Sequence, residues 1–182
     1  MKALVPLAEG FEEIEAVSII DVLRRADISV ITAALAGTTV TGSHAIPVAA
    51  DRELDGVHAD DFGLIVLPGG MPGSEHLKND ARVISLVRRI HASDGIAGAI
   101  CAAPIVLAAA GVLAGKQATC FPGFETELAG AIYNPKPVIL DGRIVTGRGA
   151  GCAIPFALEI VGLVRGKDVM RGLAKQLQVY WL

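Results

Sequence analysis

Cysteine is scarce in this 182-residue chain, aromatic residues number only eight, and no run of basic side chains is present. The three cysteines, Cys101, Cys120 and Cys152, are odd in number and widely separated, with no CxxC pair and no zinc-ligand spacing. Neither a disulfide framework nor a structural metal site is expected from them. With 16 Lys and Arg against 19 Asp and Glu, the net charge is -3. Nucleic acid is therefore excluded as a main partner, since phosphate neutralisation and base stacking both lack their residues. Pro6 and Glu9 interrupt the first apolar stretch, so it makes no continuous leader segment, and a cytoplasmic location is the expectation. Nor is there a linker, a repeat or a low-complexity segment, which leaves one domain over residues 1–182 with length enough for an ordinary core.

What the chain does have is apolar surface: 52% of its residues are hydrophobic, and 21 consecutive positions from Gly95 to Gly115 carry no charge. A bilayer span is the first question such a run raises. Pro104 inside it would cost a membrane helix about 3 kcal/mol, close to what its seven Ile, Val and Leu residues return on insertion. The run divides better at Cys101. Gly95–Ile100 has strand length, Ala102–Leu113 has helix length, and Pro104 falls in the tolerated first turn. A buried parallel strand followed by its covering helix has this pattern, and no membrane partner is expected.

The rest of the chain alternates in the same way. Lys2–Ala8, Ile28–Ala34 and Phe62–Leu67 read as strands, with Thr38–Ser43 and Ile46–Ala50 as short ones. Helical periodicity marks Glu12–Ala26, Ala81–Ser93, Ala153–Val164 and Lys167–Val179. Val138–Leu140 and Arg143–Thr146 flank a hairpin signal at Asp141–Gly142. This order predicts an α/β sandwich around a mostly parallel sheet, in which function gathers at the carboxyl ends of the strands.

Three loops at that edge carry unusual chemistry. The first, Glu9 to Glu15, holds four carboxylates at a helix start, where acidic residues are favoured by the positive helix terminus. That reason suffices for Glu12 and Glu13. Glu15 differs, because it lies in line with Ile19, Val22 and Ala26 on the apolar stripe. Burial there would raise its pKa; the alternative is a glutamate that reaches past the stripe to solvent. In the second loop, Pro68–Gly73, the adjacent Gly69 and Gly70 allow a sharp bend that turns backbone N–H groups toward an anion, although strand-end loops are often glycine-rich for structural reasons. Neither a Walker A loop nor a first-strand dinucleotide fingerprint is present, and no cofactor is expected. Gly147 to Gly151 reads as a structural turn before a helix. In the third, Cys101 passes from strand directly into helix, the layout of a nucleophile elbow in which helix N–H groups would lower the thiol pKa. Its alternative is a buried cysteine acting as a small hydrophobe, the role assigned to Cys120 and Cys152.

Glu-Glu-Ile-Glu (12–15), Leu-Pro-Gly-Gly (67–70), Ala-Ile-Cys-Ala-Ala-Pro (99–104) and Thr-Gly-Arg-Gly-Ala-Gly (146–151), in this order, resemble the ThiJ/PfpI superfamily in the branch of the parkinsonism-associated deglycase. The resemblance covers essentially the whole chain. It implies a flavodoxin-like three-layer sandwich that forms a homodimer, with Cys101 as nucleophile and redox-sensitive thiol and Glu15 as its protonated partner. Backbone N–H groups around Gly69, Gly70 and Ala102 would line an oxyanion pocket. Two departures stand out. Relatives often have histidine where this chain has Phe121, which cannot be a general base, and His44 stands where the branch places an arginine near the dimer-facing strand. His44 is thus a candidate to enter a neighbouring subunit's site, against solvation or a structural hydrogen bond. Arg25 is a candidate for anion binding, against the ordinary preference for basic residues at a helix C-terminus.

Related chemistries lose ground by absence. The peptidase branch has histidine directly after the cysteine, where this chain has Ala102, and glutamine amidotransferases need a late His-x-Glu pair, whereas no histidine follows His91. The expected function is cofactor-free conversion of α-oxoaldehydes to hydroxy acids, or release of early glycation adducts from amines. The alternative is a redox-sensing stress protein or chaperone in which Cys101 oxidises to the sulfinate.

Overall fold

The computed structural model describes residues 1–179. Its elements follow in chain order: β1 (Lys2–Leu7), α1 (Glu13–Arg25), β2 (Ser29–Ala34), β3 (Thr39–Thr41), β4 (Pro47–Ala49), β5 (Arg52–Glu53), β6 (Leu64–Leu67), α2 (Gly73–Asn79) and α3 (Ala81–Ala92). The second half continues with β7 (Ile96–Ile100), α4 (Pro104–Ala109), β8 (Gln117–Ala118), β9 (Ile132–Tyr133), β10 (Val138–Asp141), β11 (Ile144–Gly147), α5 (Ala153–Arg165) and α6 (Lys167–Gln176).

Seven strands form the main sheet in the order β10-β11-β7-β6-β1-β2-β5. All neighbours pair parallel except β10 and β11. β1, β6 and β7 lie in its interior, and their residues from Ala3 to Leu7, Leu64 to Leu67 and Ile96 to Ile100 are buried, as continuous apolar runs covered on both faces must be. One apolar layer packs α1 and α5 against the sheet through Ile19, Val22, Phe156 and Ile160. The opposite layer uses Leu77, Val83, Val87 and Ile90 of α2 and α3, with Ile105 to Leu107 of α4. The expected three-layer α/β sandwich is the fold.

The charge-free run is divided as expected, in this case into β7, a turn at Cys101–Ala103, and α4. α4 is shorter than the Ala102–Leu113 expectation because Gly111 takes a left-handed conformation (φ +77°) that stops it. No helix among the described residues is long and apolar enough to cross a membrane. Local features correct other expectations. The hairpin turn sits one residue later than expected, because Asp141 pairs with Ile144 and leaves Gly142 (φ +64°) and Arg143 in the turn. α6 ends at Gln176 rather than Val179. The short α2, β5, β8 and β9 were not expected, being too brief to show a hydrophobic period.

Candidate active site

β1, β6 and β7 are neighbours in the sheet, so the three chemically unusual loops that leave their carboxyl ends converge at one edge. Backbone hydrogen bonds join the first two. Glu12 N–H donates to the Gly69 carbonyl at 2.9 Å, and Gly73 N–H donates to the Gly10 carbonyl at 3.3 Å. Side chains have no room between these backbones: a Cβ on Gly69 would stand 2.5 Å from Cys101 Cβ and 2.7 Å from Glu15 Oε2. Gly70 has φ +90°, and a Cβ there would meet the Gly10 carbonyl oxygen at 2.6 Å.

Glu15 is fully buried, in line with Ile19 and Val22 as the helical stripe predicts. Its Oε2 accepts the Gly69 N–H at 2.7 Å, while Oε1 is buried without a hydrogen-bond partner among the described residues. Burial raises its pKa to about 7, against the lowering influence of the Gly69 N–H and Cys101. A carboxyl in this state holds its proton over much of the neutral range.

Cys101 occupies the elbow with φ +63°, a conformation that costs a non-glycine residue energy and is held here from both sides. Its N–H donates to the Gly147 carbonyl at 2.9 Å, and its carbonyl accepts the Phe121 N–H at 2.8 Å. The expected lowering of the thiol pKa is not what this site produces. Burial raises it first, then the charge of Glu15, and the N–H groups of Gly70 and Ala102 offset only part of the rise. α4 has six residues, too short for a strong terminal charge. Since Glu15 and Cys101 each alter the other's proton affinity, they titrate as a coupled pair.

The structure sorts the remaining candidates. Gly70 and Ala102 turn their N–H groups toward the Cys101 sulfur. Gly69 is corrected from oxyanion donor to holder of Glu15, because its N–H is already committed to that carboxyl. Arg25 is also corrected: it lies at the far end of α1 from Glu15, roughly 15 Å away at 1.5 Å per residue, and its Nε donates to Asp21 at 2.6 Å. His44 Nδ1 stands 3.0 Å from Glu13 Oε2, on a largely exposed side chain. Its ring contacts among the described residues run to Glu13, Glu12 and Ser43 rather than to Cys101.

Glu13 has a function that helix-terminus preference did not reveal. Its carboxylate accepts the backbone N–H groups of His44 and Ile46, and so ties the β3–β4 turn to α1. Burial opposes ionisation there, but the hydrogen bonds from His44 and the neighbouring backbone outweigh it and bring the pKa down to about 2. The backbone contacts from Phe121 and Gly147 to Cys101 were also missed, since sequence gives no sign of which distant amide closes an elbow. Of the two other thiols, Cys120 is fully buried and Cys152 partly so.

Comparison with known proteins gives matches over nearly the whole chain. Residues 1–163 match the DJ-1/PfpI family. Protein dj-1beta of Drosophila melanogaster is 41% identical over 180 residues, covering 97% of this chain and 96% of the fly protein. Its crystal structure superposes with a TM-score of 0.94 at 40% identity, covering 99% of this chain and 98% of that one. Toxoplasma gondii DJ-1, solved in an oxidized form, also gives a TM-score of 0.94, at 35% identity and 99% coverage of both chains. Protein DJ-1 homolog B of Arabidopsis thaliana is 39% identical over 94% of this chain, which spans only 40% of the plant protein. Full-length similarity, the shared fold and the motifs gathered at one sheet edge lead to one conclusion: this chain belongs to the DJ-1/PfpI family.

Proposed function

We propose that this protein is a cofactor-free cysteine enzyme that converts small reactive α-oxoaldehydes to hydroxy acids, and that the same site can act on early glycation adducts. The observation that carries this reading is the coupling of a buried, readily protonated Glu15 to a thiol on a strained elbow. In the form whose Glu15 is ionised, Cys101 Sγ attacks the aldehyde carbon while its proton passes to Glu15, and the new oxyanion forms beside the N–H groups of Gly70 and Ala102. Protonation of that oxygen by Glu15 gives a hemithioacetal. Glu15, now a carboxylate, removes the proton from the former aldehyde carbon and returns it to the adjacent carbon, while the hydroxyl proton passes to the neighbouring oxygen, which leaves a hydroxy thioester. Water then cleaves the C–S bond, releasing the hydroxy acid and regenerating the thiol. One carbon is oxidised and its neighbour reduced within the substrate, so no outside electron carrier is required.

The test is lactate formation from methylglyoxal by purified protein. Cys101→Ser and Glu15→Gln should each lower kcat/KM by about 100-fold or more, the scale of losing a nucleophile or a positioned acid-base group. A wild-type rate no better than the uncatalysed one contradicts the reading.

A redox role has separate support from the relative solved in an oxidized form. In that reading two equivalents of peroxide take Cys101 to the sulfinate, with release of water, and the protonated Glu15 donates to a sulfinate oxygen. Mass spectrometry after mild peroxide should find two added oxygens on Cys101 before Cys120 or Cys152; equal oxidation of all three contradicts it.

A further inference from the structure

Phe121 is half-exposed, and its surroundings differ from those of an ordinary surface phenylalanine. Its backbone N–H closes the elbow at the Cys101 carbonyl, 2.8 Å away. Cys101 also donates its N–H to Gly147 at 2.9 Å, so a single residue draws the segments around Phe121 and Gly147 to the nucleophile. The Phe121 ring rests on the second of these segments. A Cβ added at Gly149 would lie 3.4 Å from Cδ2 and 3.8 Å from Cε2, ordinary contact distances that put the ring over this backbone. Thr119 and Cys120 just before it are fully buried, while Phe121 itself is 47% exposed. One part of the ring lies against the Gly149 segment and the other is open to solvent.

We infer that Phe121 makes this site select α-oxoaldehydes bearing an aryl group over those bearing a small alkyl group. The inference rests on the carbonyl-enzyme reading above and adds to it the class of substituent. The bond from the Phe121 N–H to the Cys101 carbonyl holds residue 121 next to the residue that takes the carbonyl carbon, so the exposed part of the ring offers an aromatic face to the substituent. Aryl groups gain from such a face by offset or edge contact as well as by loss of water-exposed area. A methyl group gains little from either.

The measurement compares phenylglyoxal with methylglyoxal by kcat/KM. The wild-type protein should favour phenylglyoxal by about tenfold, the scale of one aromatic contact. Phe121→Ala should bring the ratio close to one, and Phe121→Tyr should keep it. The backbone bond to Cys101 survives both substitutions, and circular dichroism verifies the fold. A wild-type preference for methylglyoxal, or a ratio unchanged in Phe121→Ala, overturns the inference.

A second arm needs no turnover. Cys101 Sγ displaces chloride from 2-chloroacetophenone or chloroacetone, and intact-mass spectra give the rate for each reagent. The rate ratio, normalised to that of free cysteine, should favour the aryl reagent about tenfold and fall toward one in Phe121→Ala. Selective alkylation without any glyoxal turnover would refute the enzyme reading and support the aryl-binding rim. Turnover with no aryl preference in either arm would do the reverse.

Discussion

At the scale of single residues, Glu15 and Glu13 place opposite demands on pH. Glu15 has a folded pKa of about 7, above its ordinary 4.5, so the stability linked to its proton is fully present below pH 4.5 and is lost as pH rises through about 7. By pH 8 the loss approaches about 3 kcal/mol at 1.36 kcal/mol per pKa unit. Glu15→Gln keeps an acceptor for the Gly69 N–H and carries no charge. It should raise unfolding stability at pH 8 by about 2–3 kcal/mol and change it little at pH 4.5, as measured by denaturant titration at both pH values. A variant that is equally destabilised at both contradicts the buried-charge account. Glu13 runs the other way: with a folded pKa of about 2, its contribution is present above pH 4.5 and is lost as pH falls through about 2. Near neutral pH, Glu13→Ala removes the acceptor of two amides, and hydrogen exchange at His44 and Ile46 should accelerate by about tenfold or more. Unchanged protection there would mean that the β3–β4 turn is held by something else.

At the scale of elements, the elbow depends on backbones that touch. Gly69→Ala would push a methyl into Cys101 Cβ and Glu15 Oε2, and should cost about 1–3 kcal/mol of stability together with most of the activity. An alanine variant with wild-type melting and turnover contradicts the packing at the elbow. The strand, turn and helix start of the charge-free run could be read from sequence because Pro104 is tolerated in a helix's first turn and so favours a break at Cys101. Glu15 was legible for a related reason, since a carboxylate on an apolar helical stripe is conspicuous. The thiol's proton affinity was not legible. Pattern reveals the helix terminus beside Cys101, but burial and the neighbouring carboxyl exist only after folding, and together they outweigh a six-residue helix. For Arg25 the ordinary preference for basic residues at a helix C-terminus is the reading the structure favours, since it ends α1 and pairs with Asp21. Gly69 was misassigned because sequence shows that an N–H is available and cannot show that Glu15 has taken it.

Across the whole molecule, the parallel order of the sheet is what turns separate motifs into a site. β1, β6 and β7 bring Glu15, Gly70 and Cys101 to one edge from positions more than 80 residues apart in sequence, in keeping with function at the carboxyl ends of parallel strands. The sandwich behind them excludes water from one side of Glu15 and so sets its proton affinity. If Cys101 reacts by passing its proton to Glu15, the pH dependence of kcat/KM for methylglyoxal is where that transfer shows. The reactive pair has lost one proton in total, which predicts a wild-type rate that rises through pH 7 to a plateau and a Glu15→Gln profile without that step. A wild-type rate that rises only in the range of an ordinary free thiol, with the same profile in Glu15→Gln, would contradict it.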